Sequence, residues 1–308
     1  MSVNHDTDLL LITCASGKQA SHLLPLVYEK WRRLRLIVNS NSSEDRLKET
    51  YPKAEVTRAD LCNPTDCHRI MTDVTTVLHI GPSFHPHETE IGYFMIDAAV
   101  SAGASFKHFV YSSVLDSQLR KLMNHDCKRY VEEHLFESGL NYTVLQPTHF
   151  MDMFPIAQLM VQDEPVYTAN WSPEVTFSFL ALRDLGEATA KVIEERERHY
   201  LAQYPLCSTG AYSYNEVIRI VSEVIGKKIT IKTRGIEEGS KALMTMLYAD
   251  IDKVPAQTRD AAHRLLLYYN HYGLKGNPNV LEWLLGRKTT THEEWARGQV
   301  QKASETRK

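Results

Sequence analysis

A chain of 308 residues, 43% of them hydrophobic, is long enough to bury a large core and too apolar to belong with disordered sequences. The formal charge of -3, with lysines and arginines scattered along the chain, gives no electrostatic reason to expect a nucleic-acid partner. No apolar run approaches the roughly 20 residues that cross a bilayer. The polar start MSVNHDTD is unlike a signal peptide, and five cysteines without zinc-type spacing read as reduced thiols, so a cytoplasmic protein with no membrane partner is expected.

The stretch Leu9 to Leu24, LLLITCASGKQASHLL, reads as a buried strand, a tight turn and a helix start. A helix opening directly after a strand points its free amides at one spot, where the pyrophosphate of a dinucleotide sits. In the fingerprint T-G-x-x-G-x-x-G the glycine positions hold Cys14, Gly17 and Ala20. The first glycine makes the turn, the second admits the pyrophosphate and the third packs helix on strand, so only the second role is intact. Cys14 brings a side chain to a place where positive φ or close approach is required. Thr13 leads into the turn, and Ser16, Gly17, Lys18 and Gln19 open the helix, Lys18 adding charge unless it is simply solvated.

Further along, strands are expected near 34–38, 54–57, 75–80, 107–111 and 142–146. Helices are expected near 17–30, 43–51, 64–72, 88–103 and 117–138. This alternation is the signature of an α/β protein with a Rossmann-type doubly wound parallel sheet. After the second strand comes Asn39-Ser40-Asn41-Ser42-Ser43, with no acid to hold a ribose 2′-hydroxyl. NADP is therefore favoured over NAD, with serine hydroxyls and Arg46 to receive the phosphate, and no bound cofactor is the other possibility. The plain alternative is a Ser/Asn turn that caps the next helix.

From Phe150 the pattern is less regular, with Pro147, Pro155, Pro165 and Pro173 in the connections. A helix is expected at 183–196, another opened by a Ser213–Glu216 capping box, a strand near 228–232, and helices near 236–250, 257–271 and 291–302. The domains expected are 1–154, binding dinucleotide, and 155–308, a smaller, mixed, largely helical substrate lobe that shares the last sheet strands. The lobe is expected over the carboxyl ends of the strands. His125 and Lys128, three apart on the helix over 117–138, form a pair able to handle a proton, although Arg120, Lys121, Lys128 and Arg129 also read as a solvated basic face. Ser112 and Ser113 are weaker candidates. His85, His87 and His149 follow strand ends, without the spacing of metal ligands, so no metal is expected. Phe84, His85, Tyr93, Phe150 and Trp171 would line a pocket for a flat apolar substrate, unless the aromatic residues are core.

Six segments then fall into a known order: ITCASGKQA at 12–20, ADLCNPTD at 59–66, TTVLHIGPSF at 75–84, KHFVYSSV at 107–114, VEEHLFESGLNYTVLQPTHFMDMF at 131–154 and LRDLGEATA at 182–190, with THEEWA closing at 291–296. The chain resembles the NmrA-like branch of the atypical short-chain dehydrogenases. That resemblance implies a Rossmann-type fold and NADP as the usual ligand. It also implies an adenine-contacting segment at Asp60 and Leu61 and a loop beside the cofactor at Gly81 and Pro82. Where the superfamily has Tyr-x-x-x-Lys this chain has Asn124 and Lys128, and Lys128 is similar to the lysine that relatives reducing benzylic ethers use as general acid or base. The leading expectation is an NADPH-dependent reductase of an aromatic or polyketide-like metabolite, with Lys128 and His125 handling the proton and His149 a further candidate. The alternatives are a cofactor-independent isomerase, cyclase or lyase in the same cleft, and a non-catalytic NADP-binding regulator. The sequence leaves self-association open.

Overall fold

The computed structural model describes residues 3–248 and 250–305; Met1 and Ser2 of the polar start and position 249 of the helix expected over 236–250 lie outside them. In chain order the first half forms β1 (Leu9–Ile12), α1 (Lys18–Val27), β2 (Arg33–Val38), α2 (Asn41–Thr50), β3 (Glu55–Arg58), α3 (Pro64–Ile70), β4 (Thr76–Ile80), α4 (Glu88–Ser101), β5 (His108–Ser112), α5 (Met123–Glu137) and β6 (Tyr142–Pro147). The second half adds β7 (His149–Phe150), α6 (Ile156–Met160), β8 (Val166–Ala169), β9 (Thr176–Leu180), α7 (Leu182–Glu195), β10 (Ala202–Leu206), β11 (Ala211–Ser213) and α8 (Tyr214–Ile225). It closes with β12 (Thr230–Thr233), α9 (Ile236–Leu247), α10 (Ala256–Tyr272), α11 (Asn279–Leu285) and α12 (His292–Glu305).

Strands of unbroken apolar side chains have no face to give to water, so they take central places under helices. β1 (LLLI) and β4 (TVLHI) are buried along their whole length and lie side by side in a seven-stranded sheet of order β10-β6-β5-β4-β1-β2-β3. The β3-β2-β1-β4-β5-β6 pairs are parallel, with Leu10 opposite Leu34 on one side and Thr76 on the other. Chain order reverses between β1 and β4, and that reversal opens a crevice at the carboxyl ends of those two strands. The expected doubly wound sheet is therefore present.

The chain divides into two compact units. One holds the chain up to Leu119 together with His125–Pro147 and Leu185–Pro205; the other holds Arg120–Asn124, Thr148–Asp184 and the chain from Leu206 on. At the amino ends of β1 and β4 in the first unit, Arg196 is fully buried, with Nη2 2.9 Å from Asp8 Oδ2 and 3.0 Å from Thr76 Oγ1. Lys107 Nζ binds the other Asp8 oxygen at 2.8 Å. In the second unit β7 and β11 flank β9, and β8 pairs with β12. The expected capping box opens α8, Ser213 accepting from the Glu216 amide while Glu216 accepts from Ser213 N at 2.8 Å. Asp184 is buried under Ser208, Arg287 and Thr290, which between them donate to both its oxygens.

Helix α5 starts well after its expected first residue, 117. α5 begins at Met123, so Arg120 and Lys121 precede it and do not share a helical face with Lys128 and Arg129. Two features divert the chain before that point. Asp116 has φ 56°, and Ser117 Oγ donates at 2.8 Å to Glu132 on α5, folding the segment back on the helix it was expected to extend. Among the described residues no helix is long and apolar enough to cross a membrane.

Candidate functional site

The crevice between β1 and β4 continues as a groove of about 230 Å³ across the ends of β2 and β3. Its wall includes Cys14, Ser16 and Gly17 from the turn after β1, Asn39 after β2, Asp60, Leu61 and Cys62 after β3, and Pro82 and His85 after β4. Ile37, Val38, Ala59 and Ile91 add an apolar lining. The groove follows the course that a dinucleotide's adenosine and pyrophosphate take over such a sheet.

The turn behaves as its residues require. Cys14 adopts φ 48°, the left-handed conformation that the first glycine of the fingerprint ordinarily supplies, and Gly17 N closes the turn on Cys14 O at 2.9 Å. A β-carbon built on Gly17 would stand 3.1 Å from that same carbonyl, a tight contact for which the turn would have to give by a few tenths of an ångström. Gly17 is also the N-cap of α1 and offers no side-chain cap, which leaves the first-turn amides directed at the groove. Cys14 lines the groove without closing it. Residues present and space available therefore fit a diphosphate.

Not every expected cofactor residue lines the groove. Thr13 is buried, donating to Ile80 O at 3.0 Å and accepting from Ile80 N at 2.8 Å, and so fastens β1 to β4. Gln19 accepts from Ser112 Oγ at 2.7 Å and fastens α1 to the end of β5. Lys18 is exposed at the start of α1. Ser40 is the N-cap of α2, its oxygen accepting from Ser43 N, so its hydroxyl is engaged in the capping role weighed for this turn. Two guanidinium groups reach the turns beside the groove: Arg46 on α2 donates to Ser16 O in the turn after β1 at 3.2 Å, and Arg58 at the end of β3 donates to Asn41 Oδ1 after β2. Asp60 accepts from Cys62 N at 2.9 Å and shapes the turn after β3.

Gly81 leads to a buried charged pair. A β-carbon there would lie 3.3 Å from Glu88 Oε1 and 3.8 Å from Lys128 Nζ, and these two side chains form a buried ion pair. Lys128 is therefore not on a solvated face. Burial opposes its charge, but Glu88, with smaller help from Tyr111 and Cys127, outweighs burial and raises the pKa above the ordinary lysine value. The second Glu88 oxygen accepts from Phe84 N at 3.1 Å and holds a turn in which Phe84 has φ 62°. His79, its ring stacked 5.8 Å from Tyr111, sits nearby with its pKa lowered to about 3 by burial and then by Lys128. His125 is fully buried, its Nδ1 3.3 Å from Asp116 O, and burial lowers its pKa to about 4. Ser113 donates to Glu132, which also accepts from Ser117 and Gln146.

The expected substrate residues are distributed. Phe84 and His85 share the loop after β4, whereas Tyr93 on α4 packs its ring 4.5 Å from His134 on α5. In the second unit His149 lies in an aromatic cluster, 4.7 Å from Phe177, 5.0 Å from Tyr269 and 5.4 Å from Trp171. Phe150 pairs with Leu180 between β7 and β9. Among the described residues no group of three or more His, Cys, Asp or Glu is placed to hold a metal ion. Glu88 escaped the sequence reading because an acid at the first position of a helix is explained by the helix dipole alone.

Agroclavine dehydrogenase of Claviceps fusiformis is 24% identical over 260 residues, 80% of this chain and 86% of its own. Among solved structures, the NADPH-dependent quinone oxidoreductase QOR2 of Escherichia coli, complexed with NADPH, superposes with TM-score 0.76 at 20% identity, covering 95% of this chain and all of its own. NmrA, a negative transcriptional regulator in complex with NADP, gives TM-score 0.75 at 16% identity, with 98% of each chain covered. At these identities the likeness to solved structures establishes the fold. The family model described as NmrA-like family matches residues 6–296, and the chain accordingly belongs to the NmrA-like family.

Proposed function

We propose that this protein binds NADPH in preference to NADH and reduces a small, flat, apolar molecule of aromatic or polyketide-like type. The observation that supports this most is the groove, which stays open past Cys14 although two glycines of the fingerprint are replaced. In this reading the α1 amides beside Gly17 hold the pyrophosphate, Asp60 and Leu61 face the adenine and Asn39 the ribose. Arg46 and Arg58 receive the 2′-phosphate in place of an arginine at the end of β2. Bound dinucleotide supplies a hydride. Lys128 serves as a fixed, charged donor to negative charge developing on the substrate oxygen, and Glu88 keeps it from acting as a base. His125, neutral and buried, supports the start of α5.

Titration of NADPH nicotinamide fluorescence tests the reading. Saturable binding in the micromolar range is expected, and no binding at millimolar NADPH would overturn it in favour of a cofactor-independent enzyme. Arg46→Ala and Arg58→Ala are each expected to weaken NADPH binding about five- to tenfold, as for loss of one charge-assisted phosphate contact, while leaving NADH nearly unchanged. The tight Lys128–Glu88 pairing also favours a second reading, a regulator that binds dinucleotide without turning over a substrate. Lys128→Ala separates the two, because it abolishes substrate-dependent NADPH oxidation in a reductase, whereas a regulator shows none to lose.

A further inference from the structure

Glu88 and Lys128 are a complete charge pair set against the backbone of the loop after β4, at Gly81. The adenosine end of the groove lies at Asn39, Asp60 and Leu61, over β2 and β3. A dinucleotide laid from there across the switch point has its other half over the ends of β4 and β5, which Gly81 and Ser112 mark. That half changes charge in the reaction, because the nicotinamide ring carries one positive charge when oxidised and none when reduced. A lone ammonium in a water-poor site would repel the oxidised ring over several ångströms.

We infer that Glu88 is a positioning residue that cancels the charge of Lys128 at the redox end of the dinucleotide site, so that oxidised and reduced cofactor bind on comparable terms. The inference rests on the proposed dinucleotide reading and adds to it a determinant of which redox form the protein retains. Two observations support the role. The Glu88 carboxylate has a fixed position, one oxygen on Lys128 and the other on Phe84 N. Both charges are also felt in the glycine-poor turn: burial pushes the Cys14 thiol up to about 11, Glu88 adds to that rise and Lys128 opposes it.

The test is the ratio of the dissociation constants of NADP+ and NADPH, measured on the full chain by calorimetry and fluorescence. Glu88→Gln keeps an acceptor for Phe84 N but removes the charge that holds the Lys128 proton against burial, so the ratio for this variant is read at pH 6, where the ammonium is favoured. The substitution is expected to raise the ratio about tenfold over wild type, through weaker NADP+ binding. Glu88→Asp is expected to keep the wild-type ratio. The double variant Glu88→Gln/Lys128→Met replaces one neutral pair by another and should return the ratio to within about threefold of wild type. Lys128→Met gives the opposite sign, the remaining carboxylate lowering the ratio at pH 8. If Glu88→Gln does not fold, the Lys128→Met and double variants still decide the matter. A ratio that stays fixed while both constants change together would overturn the inference and leave Glu88 a structural residue. Failure of wild type to bind either form would instead defeat the dinucleotide reading.

Discussion

Cys14 carries backbone strain where its fold family commonly spends a glycine. At φ 48° a side chain with a β-carbon costs about 1 kcal/mol relative to glycine, and the thiol contributes little reactivity in return, its pKa being held near 11 by burial and by Glu88. Cys14→Gly is therefore expected to raise unfolding free energy by about 0.5–1 kcal/mol and to tighten NADPH binding. Urea titration and fluorescence titration of the same variant check the two parts; lower stability would mean that the buried thiol contributes more than the strain removes. The exchange was partly legible in the sequence, since the fingerprint marks position 14 as one that needs unusual backbone. Whether the groove survived it was not, because that depends on Ile37, Val38 and Ala59, whose types show only that they are apolar.

Elements with strong periodicity were legible almost to their ends. β1 through β6 lie within one or two residues of their expected places, and the Ser213–Glu216 spacing marks the start of α8. Ser213→Ala is expected to cost about 1 kcal/mol, read as a lower urea midpoint, because it removes one cap of the box. Misreading came where tertiary contacts override local preference. Residues 117–122 have helix-compatible side chains, yet Ser117 is drawn to Glu132 and α5 waits until Met123. Lys128 then lost its expected basic neighbours Arg120 and Lys121 and gained a buried partner forty residues earlier in the chain. β7, β8, β9, β10 and β11 were not expected, because they lie outside the regular alternation of strand and helix that marks the first half.

Across the whole molecule buried histidines set the response to acid. Burial is the leading cause that lowers His79 and His108 to about 3 and His125 and His292 to about 4, from an ordinary 6.5. Each is neutral when folded and protonated when unfolded below pH 6.5, so the unfolded chain binds more protons and stability falls as pH drops from 6.5 towards 4. The slope is about 1.4 kcal/mol per pH unit for each group that titrates fully. Urea midpoints at pH 7.5, 6.5 and 5.5 should be level over the first interval and fall sharply over the second; a level response throughout would contradict the burial of these rings. Two ion pairs frame the sheet, Asp8–Arg196 at the amino ends of its strands and Glu88–Lys128 at the carboxyl ends. The first ties β1 and β4 to the segment after α7, and the second stands beside the loop after β4.

The interleaving of the two units along the chain has an evolutionary corollary. β10 comes from residues 202–206, long after the chain has left the large sheet at Pro147, and it lies beside β6 at the sheet's margin. A gene fragment ending at Pro147 would expose the hydrogen-bonding rim of β6 and lose the buried Arg196 opposite Asp8. A single crossover therefore finds no clean seam at which to exchange one unit for another, since each unit is drawn from three separate stretches of the chain.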